Sequence, residues 1–277
     1  MNVLKKINVS LFLILSSIIS FAQTETIHKS NNLNILELLI IYNHEYHVDS
    51  LNLLDIRNED FMLIAGSSSS VFISKNLKLT LDASKNIEDS KQLSAWLSDP
   101  YNRPPSPKIM YKIYKKYDEG KIIFTERIPG MSFMYEENSA DFHWQLDNES
   151  DSILGFNVQK ATLRYGGRDW IAWFCPEIPL SDGPYKFCGL PGLILRVYDS
   201  RMHYMFEALS IEKNNDHDIV EPADIEYIQI TREDFLKAKE NFRSDIINRA
   251  KEAGLSSEAQ QTAARNLQKK NNPIELR

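Results

Sequence analysis

The chain opens with an apolar run that has no polar alternation. Leu11, Phe12, Leu13, Ile14, Leu15, Ile18 and Ile19 follow Lys5 and Lys6 and precede Ser20-Phe21-Ala22 and the polar Gln23-Thr24-Glu25. A basic start, a short apolar stretch and a small residue before a polar boundary are the layout of a secretory signal peptide, with cleavage expected after Ala22. The run is roughly 12 residues, short of the ~20 that a helix needs to span hydrocarbon. No later stretch is apolar enough to cross a membrane, so the mature chain, residues 23–277, is expected to be soluble, in the periplasm or outside the cell.

Beyond residue 33 the pattern is mostly that of strands. Asn34 to Val48 is rich in Leu, Ile and Tyr, and Phe61 to Ala65 and Val71 to Ile73 flank a glycine and four serines, which predicts two strands around a turn. Lys108 to Tyr117, Asp118-Glu119-Gly120 and Lys121 to Arg127 predict a hairpin, with Ile113, Tyr117, Ile122 and Phe124 at the two-residue period of a half-buried strand. Further strands are expected at 132–135, 142–146, 153–164, 169–174, 193–198, 203–211 and 225–230. Two departures interrupt them. Asp82 to Leu97 predicts one short central helix ending before Pro100, and Pro100, Pro104, Pro105 and Pro107 make a stiff crossover. From Thr231 onward Phe235, Ala238, Phe242, Ile246 and Ala250 recur at helical steps behind a capping-box-like Thr231 and Asp234, and Gly254 ends the run. A second, more polar helix is expected over 257–270. These elements predict a single α+β domain over residues 23–277: a mostly antiparallel, curved sheet or incomplete barrel, with a short central helix and a C-terminal helical segment over 231–270.

Charge and cysteine content narrow the partners. The formal net charge is -6, and removing Met1 to Ala22 takes away two lysines and no acids, giving -8. That balance disfavours nucleic acid and anionic lipid as partners. Two cysteines, Cys175 and Cys188, would meet an oxidising compartment after export and are expected to form a disulfide. Their spacing is not that of a Cys-x-x-Cys redox pair.

The densest segment is GFNVQKATLRYGGRDWIAWFCPEIPLSDGPYKFCGLPGLILRVYDS, residues 155–200. Gly183-Pro184 and Gly189-Leu190-Pro191-Gly192 supply fixed or positive φ values for two tight turns, and Leu193-Ile194-Leu195 then enters the core. The hexapeptide Gly189 to Ile194 resembles the motif that names the GLPGLI family of exported proteins from Bacteroidota. Gly167-Arg168, Ala172-Trp173-Phe174, Glu177-Ile178-Pro179 and Gly183 to Phe187 are similar to its usual lead-in, and Asn272-Pro273-Ile274-Glu275 to its ending. The resemblance implies an envelope location and a β-rich fold, and no particular activity.

Two readings of the motif loop stay open. In one it is a rigid corner that locks sheet register. In the other it shapes a contact surface with Arg168, Trp170, Trp173, Tyr185 and Lys186 around it, since aromatic and arginine anchors are what interfaces favour. The phosphate-cradling alternative fails because Pro191 removes an amide and no helix follows. His44 and His47, and Met202 and Met205, are three apart and would lie on opposite faces of a strand, so no metal is expected. No nucleophile elbow, zinc motif or nucleotide fingerprint appears, so no cofactor is expected either. The leading expectation is a non-enzymatic binding or accessory protein of the cell envelope, its partner a protein, for instance an outer-membrane receptor or transport system, or an apolar ligand in the sheet's concavity. The alternatives are an envelope hydrolase using Glu177, Asp182 or Asp199, and a copper-handling protein.

Overall fold

The structure is a computed structural model and describes residues 37–276 except 100, 102, 129, 215–218 and 220–226; the expected signal segment lies outside the described residues. Twelve strands build one sheet: β1 (Leu38–His47), β2 (Ile56–Ala65), β3 (Ser69–Ser74), β4 (Lys112–Lys116), β5 (Lys121–Ile128), β6 (Met131–Asn138), β7 (Gln145–Ile153), β8 (Phe156–Tyr165), β9 (Arg168–Cys175), β10 (Leu193–Asp199), β11 (Tyr204–Lys213) and β12 (Ile228–Gln229). Their spatial order is β12-β6-β5-β4-β3-β2-β1-β11-β10-β9-β8-β7, antiparallel except where β12 joins β6. Two meanders, β1–β6 and β7–β11, are thus fused where β1 pairs with β11.

The sheet curls but does not close. Tyr165 on β8 donates its hydroxyl to Glu137 on β6 at 3.0 Å, although the two strands lie near opposite ends of the strand order. The seam between these ends is bridged by side chains rather than by backbone pairing.

Alternation explains how the strands face the core. On β1, Ile40, Tyr42 and Tyr46 enter the concave core with Phe61, Leu63, Phe72, Ile113, Ile122 and Phe124. Leu39 and Ile41 pack on the other side against Met62, Ile64, Val71 and Ile73. Strands β2 and β3 are therefore apolar on both faces, as strands covered on both sides are. The outer cover is α1 (Lys75–Ser84), whose Leu77 and Leu81 reach that cluster, and α2 (Ser90–Ser98).

The single central helix expected from the sequence is two helices. The first begins earlier, at Lys75, because the Ser74 side chain caps it by accepting from the Leu77 amide, and Asp89 starts the second by accepting from the Lys91 and Gln92 amides. The C-terminal region is helical where expected, but the first run is broken at Asp245 into two helices: α3 (Arg232–Ser244) is capped by Thr231, α4 (Ile246–Glu252) ends just before Gly254 at φ 69°, and α5 (Ser257–Gln268) is the polar helix. Strand β7 was expected at 142–146. Instead Phe142 drops into the core and the strand runs over 145–153, an acidic sheet edge exposed on both faces and so without a readable period.

Candidate functional site

The motif is a piece of the interior. Residues 176–192 form a loop lying over the concave face, and Gly192 shows why the sequence folds this way: a Cβ there would sit 2.1 Å from the Cys175 carbonyl oxygen. Gly189 takes φ 90° at the turn, which lets Leu190 insert fully into the core. Ile194 then pairs with Phe174, and its carbonyl accepts the Tyr42 hydroxyl at 2.7 Å.

Three buried polar clusters hold this loop. At one end Asp182, fully buried, takes Lys115 of β4, the Ser70 hydroxyl and the Tyr117 hydroxyl at 2.9 Å, while Lys115 Nζ also donates to the carbonyls of Gly183 at 2.6 Å and Phe187 at 3.1 Å. In the seam Lys186 is fully buried. Its ammonium lies 2.9 Å from the Tyr135 hydroxyl, 3.2 Å from the Tyr165 hydroxyl and 2.6 Å from Glu275 Oε1, and it also pairs with Glu137. The rings of Phe124, Tyr135, Tyr165 and Tyr185 surround it at 4.8–5.8 Å. Arg232 of α3 completes the cluster by donating to Glu275 Oε2 at 2.6 Å, so two cations face two carboxylates. Burial alone would raise the Glu275 carboxyl, but Lys186 and Arg232 outweigh it and hold it down at about 2.

The third cluster belongs to Arg168. Its guanidinium donates to Asp199 Oδ2 at 2.9 Å, Asn272 Oδ1 at 2.7 Å, and the carbonyls of Pro273 and Ile274 at 2.6 and 2.9 Å, and it lies 4.8 Å from the Tyr204 ring centre. Asp199 in turn accepts from the His203 and Tyr204 amides. The segment 272–276 is thereby strapped down: Asn272 donates to the His47 carbonyl at 2.7 Å, the Leu276 amide to Gly166 at 2.7 Å, and the Tyr204 and Tyr185 hydroxyls bond Asn272 and Glu275.

The five residues expected as a contact rim are accordingly not a surface. Arg168, Trp170, Tyr185 and Lys186 are buried, and Trp173 is partly buried against the core. Charged groups can go inside when partnered, and the partners here, Glu137, Glu275, Asn272 and Arg232, come from remote segments. Of the acids near the loop, Asp182 and Asp199 are consumed by Lys115 and Arg168, and Glu177 is exposed. The expected disulfide is not formed: Cys175 and Cys188 are buried free thiols. Burial pushes the Cys188 thiol up to about 12, which leaves little thiolate to begin exchange.

Residues 166–196 match the model of a family described as a protein of unknown function (Porph_ging). That stretch runs from the turn before Arg168 to the strand after the hexapeptide. Two solved structures share the fold: PNGF-II in a P21 space group, at TM-score 0.52 and 14% identity over 76% of this chain and 34% of that one, and PNGF-II in a C2 space group, at 0.50 and 15% over 75% and 33%. The chain spans about a third of the length of these structures. A comparison with curated proteins gave no match.

What the surface does offer lies at the β1–β2 connection. Leu51, Leu53 and Leu54 on the loop and Ile56 at the start of β2 are 89%, 55%, 93% and 51% exposed, a concentration of apolar side chains that the strand pattern did not reveal. Asp49 and Asp55 flank it, Asp49 accepting from the Asn271 amide group at 2.7 Å and Asp55 holding Arg57. The concave interior, by contrast, is filled by the rings of Phe61, Phe72, Tyr111, Phe124, Tyr185 and Phe206.

Proposed function

We propose that this chain is an exported, non-enzymatic binding module of the GLPGLI type that engages a protein partner of the cell envelope, such as an outer-membrane receptor or transport component, through the leucine-rich β1–β2 loop. The observation that carries this reading is the set of four apolar side chains left in solvent, Leu51, Leu53 and Leu54 on the β1–β2 loop and Ile56 at the start of β2, beside an otherwise well-packed sheet. Contiguous exposed apolar patches mark interaction sites. The acids flanking the loop and the overall negative charge disfavour an anionic lipid surface and favour a partner with an apolar groove and a basic rim. In this reading the motif is the internal lock that keeps the sheet rigid, so that the loop is presented at low entropic cost.

The test is crosslinking of tagged mature protein in its native envelope, comparing the wild type with Leu51→Asp/Leu54→Asp and with Leu209→Asp on the exposed face of β11. The loop variant should lose its crosslinked partner while melting as the wild type does, since its side chains make no core contacts, and Leu209→Asp should retain the partner. Retention of the same partner by the loop variant would refute the reading.

A further inference from the structure

We propose that His47 and His203 form a two-histidine site for a Cu(I) ion at the base of the β1–β2 loop. The inference is independent of the docking reading above. His47 ends β1, and its amide donates to the His203 carbonyl at 2.9 Å, which fixes the two residues opposite each other on neighbouring strands. Their ring centres are 5.8 Å apart. Both residues are more than nine-tenths buried, at 8% and 9% exposure, and the Nδ1 of each is buried without a hydrogen-bond partner. Buried ring nitrogens are nearly always satisfied. Two unsatisfied ones on neighbouring rings, tilted 56° to each other, point to a shared partner that accepts lone pairs, which is a metal ion.

The geometry admits one. An ion about 2 Å from a nitrogen of each imidazole lies about 3.2 Å from each ring centre, so centres up to about 6.3 Å apart can share one, and the 5.8 Å found here corresponds to a bent two-coordinate arrangement. The donor set then selects among ions. Among the described residues no group of three or more His, Cys, Asp and Glu could hold a metal. Asp199, the nearby acid, is already bound by Arg168 and two backbone amides. Structural zinc calls for four protein ligands, whereas two neutral nitrogens satisfy a monovalent copper ion, for which imidazole is a suitable donor. The guanidinium of Arg168 does not oppose a cation here, because Asp199 neutralises it. Asn272 donates to the His47 carbonyl at 2.7 Å and so holds the end of β1 in place beside the site. The pairs considered within single strands are not used: His44 lies in the core, stacked on Phe206 at 4.0 Å.

The experiment is anaerobic titration of the mature chain with Cu(I) in competition with a chromophoric chelator. It compares the wild type with His47→Phe, His203→Phe and, as a control for exposed imidazole, His143→Ala. One equivalent should bind to the wild type and to His143→Ala, and the affinity should fall more than about 10-fold in each Phe variant, given that even loss of an outer-shell partner costs 10–100-fold. Phenylalanine keeps the ring volume, and thermal melting checks the fold of each variant. X-ray absorption on the copper-loaded wild type gives an answer that needs no variant: a shell of two imidazole nitrogens supports the site, and a sulfur-dominated shell overturns it. Absence of uptake by the wild type, or full uptake by both Phe variants, overturns it as well.

Discussion

Replacing Glu275 by Gln keeps the side chain's shape and leaves Lys186 and Arg232 sharing Glu137 alone. The carboxyl is held from 4.5 down to about 2 by those two cations, which at 1.36 kcal/mol per unit corresponds to about 3 kcal/mol of folding stability. Glu275 is only 6% exposed, so solvent screening removes little of this. Because the folded-state value is depressed, the contribution is complete above the unfolded value near 4.5 and is lost as pH falls toward 2. Urea denaturation followed by tryptophan fluorescence should therefore show Glu275→Gln less stable than the wild type by about 3 kcal/mol near pH 7, the two converging only at about pH 2 and below as the wild-type carboxylate protonates. A Lys186→Met/Glu275→Leu double variant should recover much of the loss, since removing both members of a buried pair costs less than removing one. A deficit below about 1 kcal/mol near pH 7, or one that does not change with pH, would refute the assignment of Glu275 as the charge that closes the seam.

The other expectations are simpler to check. Gly192→Ala places a methyl group 2.1 Å from the Cys175 carbonyl, so the backbone must move and soluble expression should be lost, as with the largest single-site effects, above about 4 kcal/mol. Thr231→Ala removes the side chain that accepts the Asp234 amide at the start of α3 and should lower stability by about 1 kcal/mol in chemical denaturation. Neither Cys175 nor Cys188 should react with a thiol reagent in folded protein near pH 8, and both should react once denatured without reductant; finding no titratable thiol in denatured material would show that the pair is oxidised after all.

Much of the fold was legible because its strands are half buried. Ile113, Ile122 and Phe124 face the core at the two-residue period, Gly120 takes φ 61° in the expected hairpin turn, and Thr231 caps the helix it was expected to cap. Where no face is buried the period vanishes, and the edge strand β7 was placed several residues too early for that reason. The break between α1 and α2 hid because Ser74 and Asp89 cap through ordinary polar side chains that also occur within loops. The candidate site was legible as a segment but not as an environment. Arg168, Tyr185 and Lys186 look like a surface when read beside their neighbours, and only Glu137, Asp199, Asn272 and Glu275, brought up by the curl of the sheet, make their burial tolerable. One usable signal was present: the Asn272-Pro273-Ile274-Glu275 ending that resembles the family's own accompanies the hexapeptide, and it meets the loop leading into the hexapeptide through Tyr185 and Lys186.

The strap has a bearing on when the molecule folds. Tyr185 and Glu275 are 90 positions apart in the chain, so a polypeptide that has emerged only as far as β11 holds Lys186 without the acid that lets it enter an apolar interior. Collapse around the seam is then opposed until the strap arrives, and contacts between such distant positions form late and slowly. A chain built in this way becomes rigid only when nearly all of it is present, because the acid that admits Lys186 to the interior lies in its last residues.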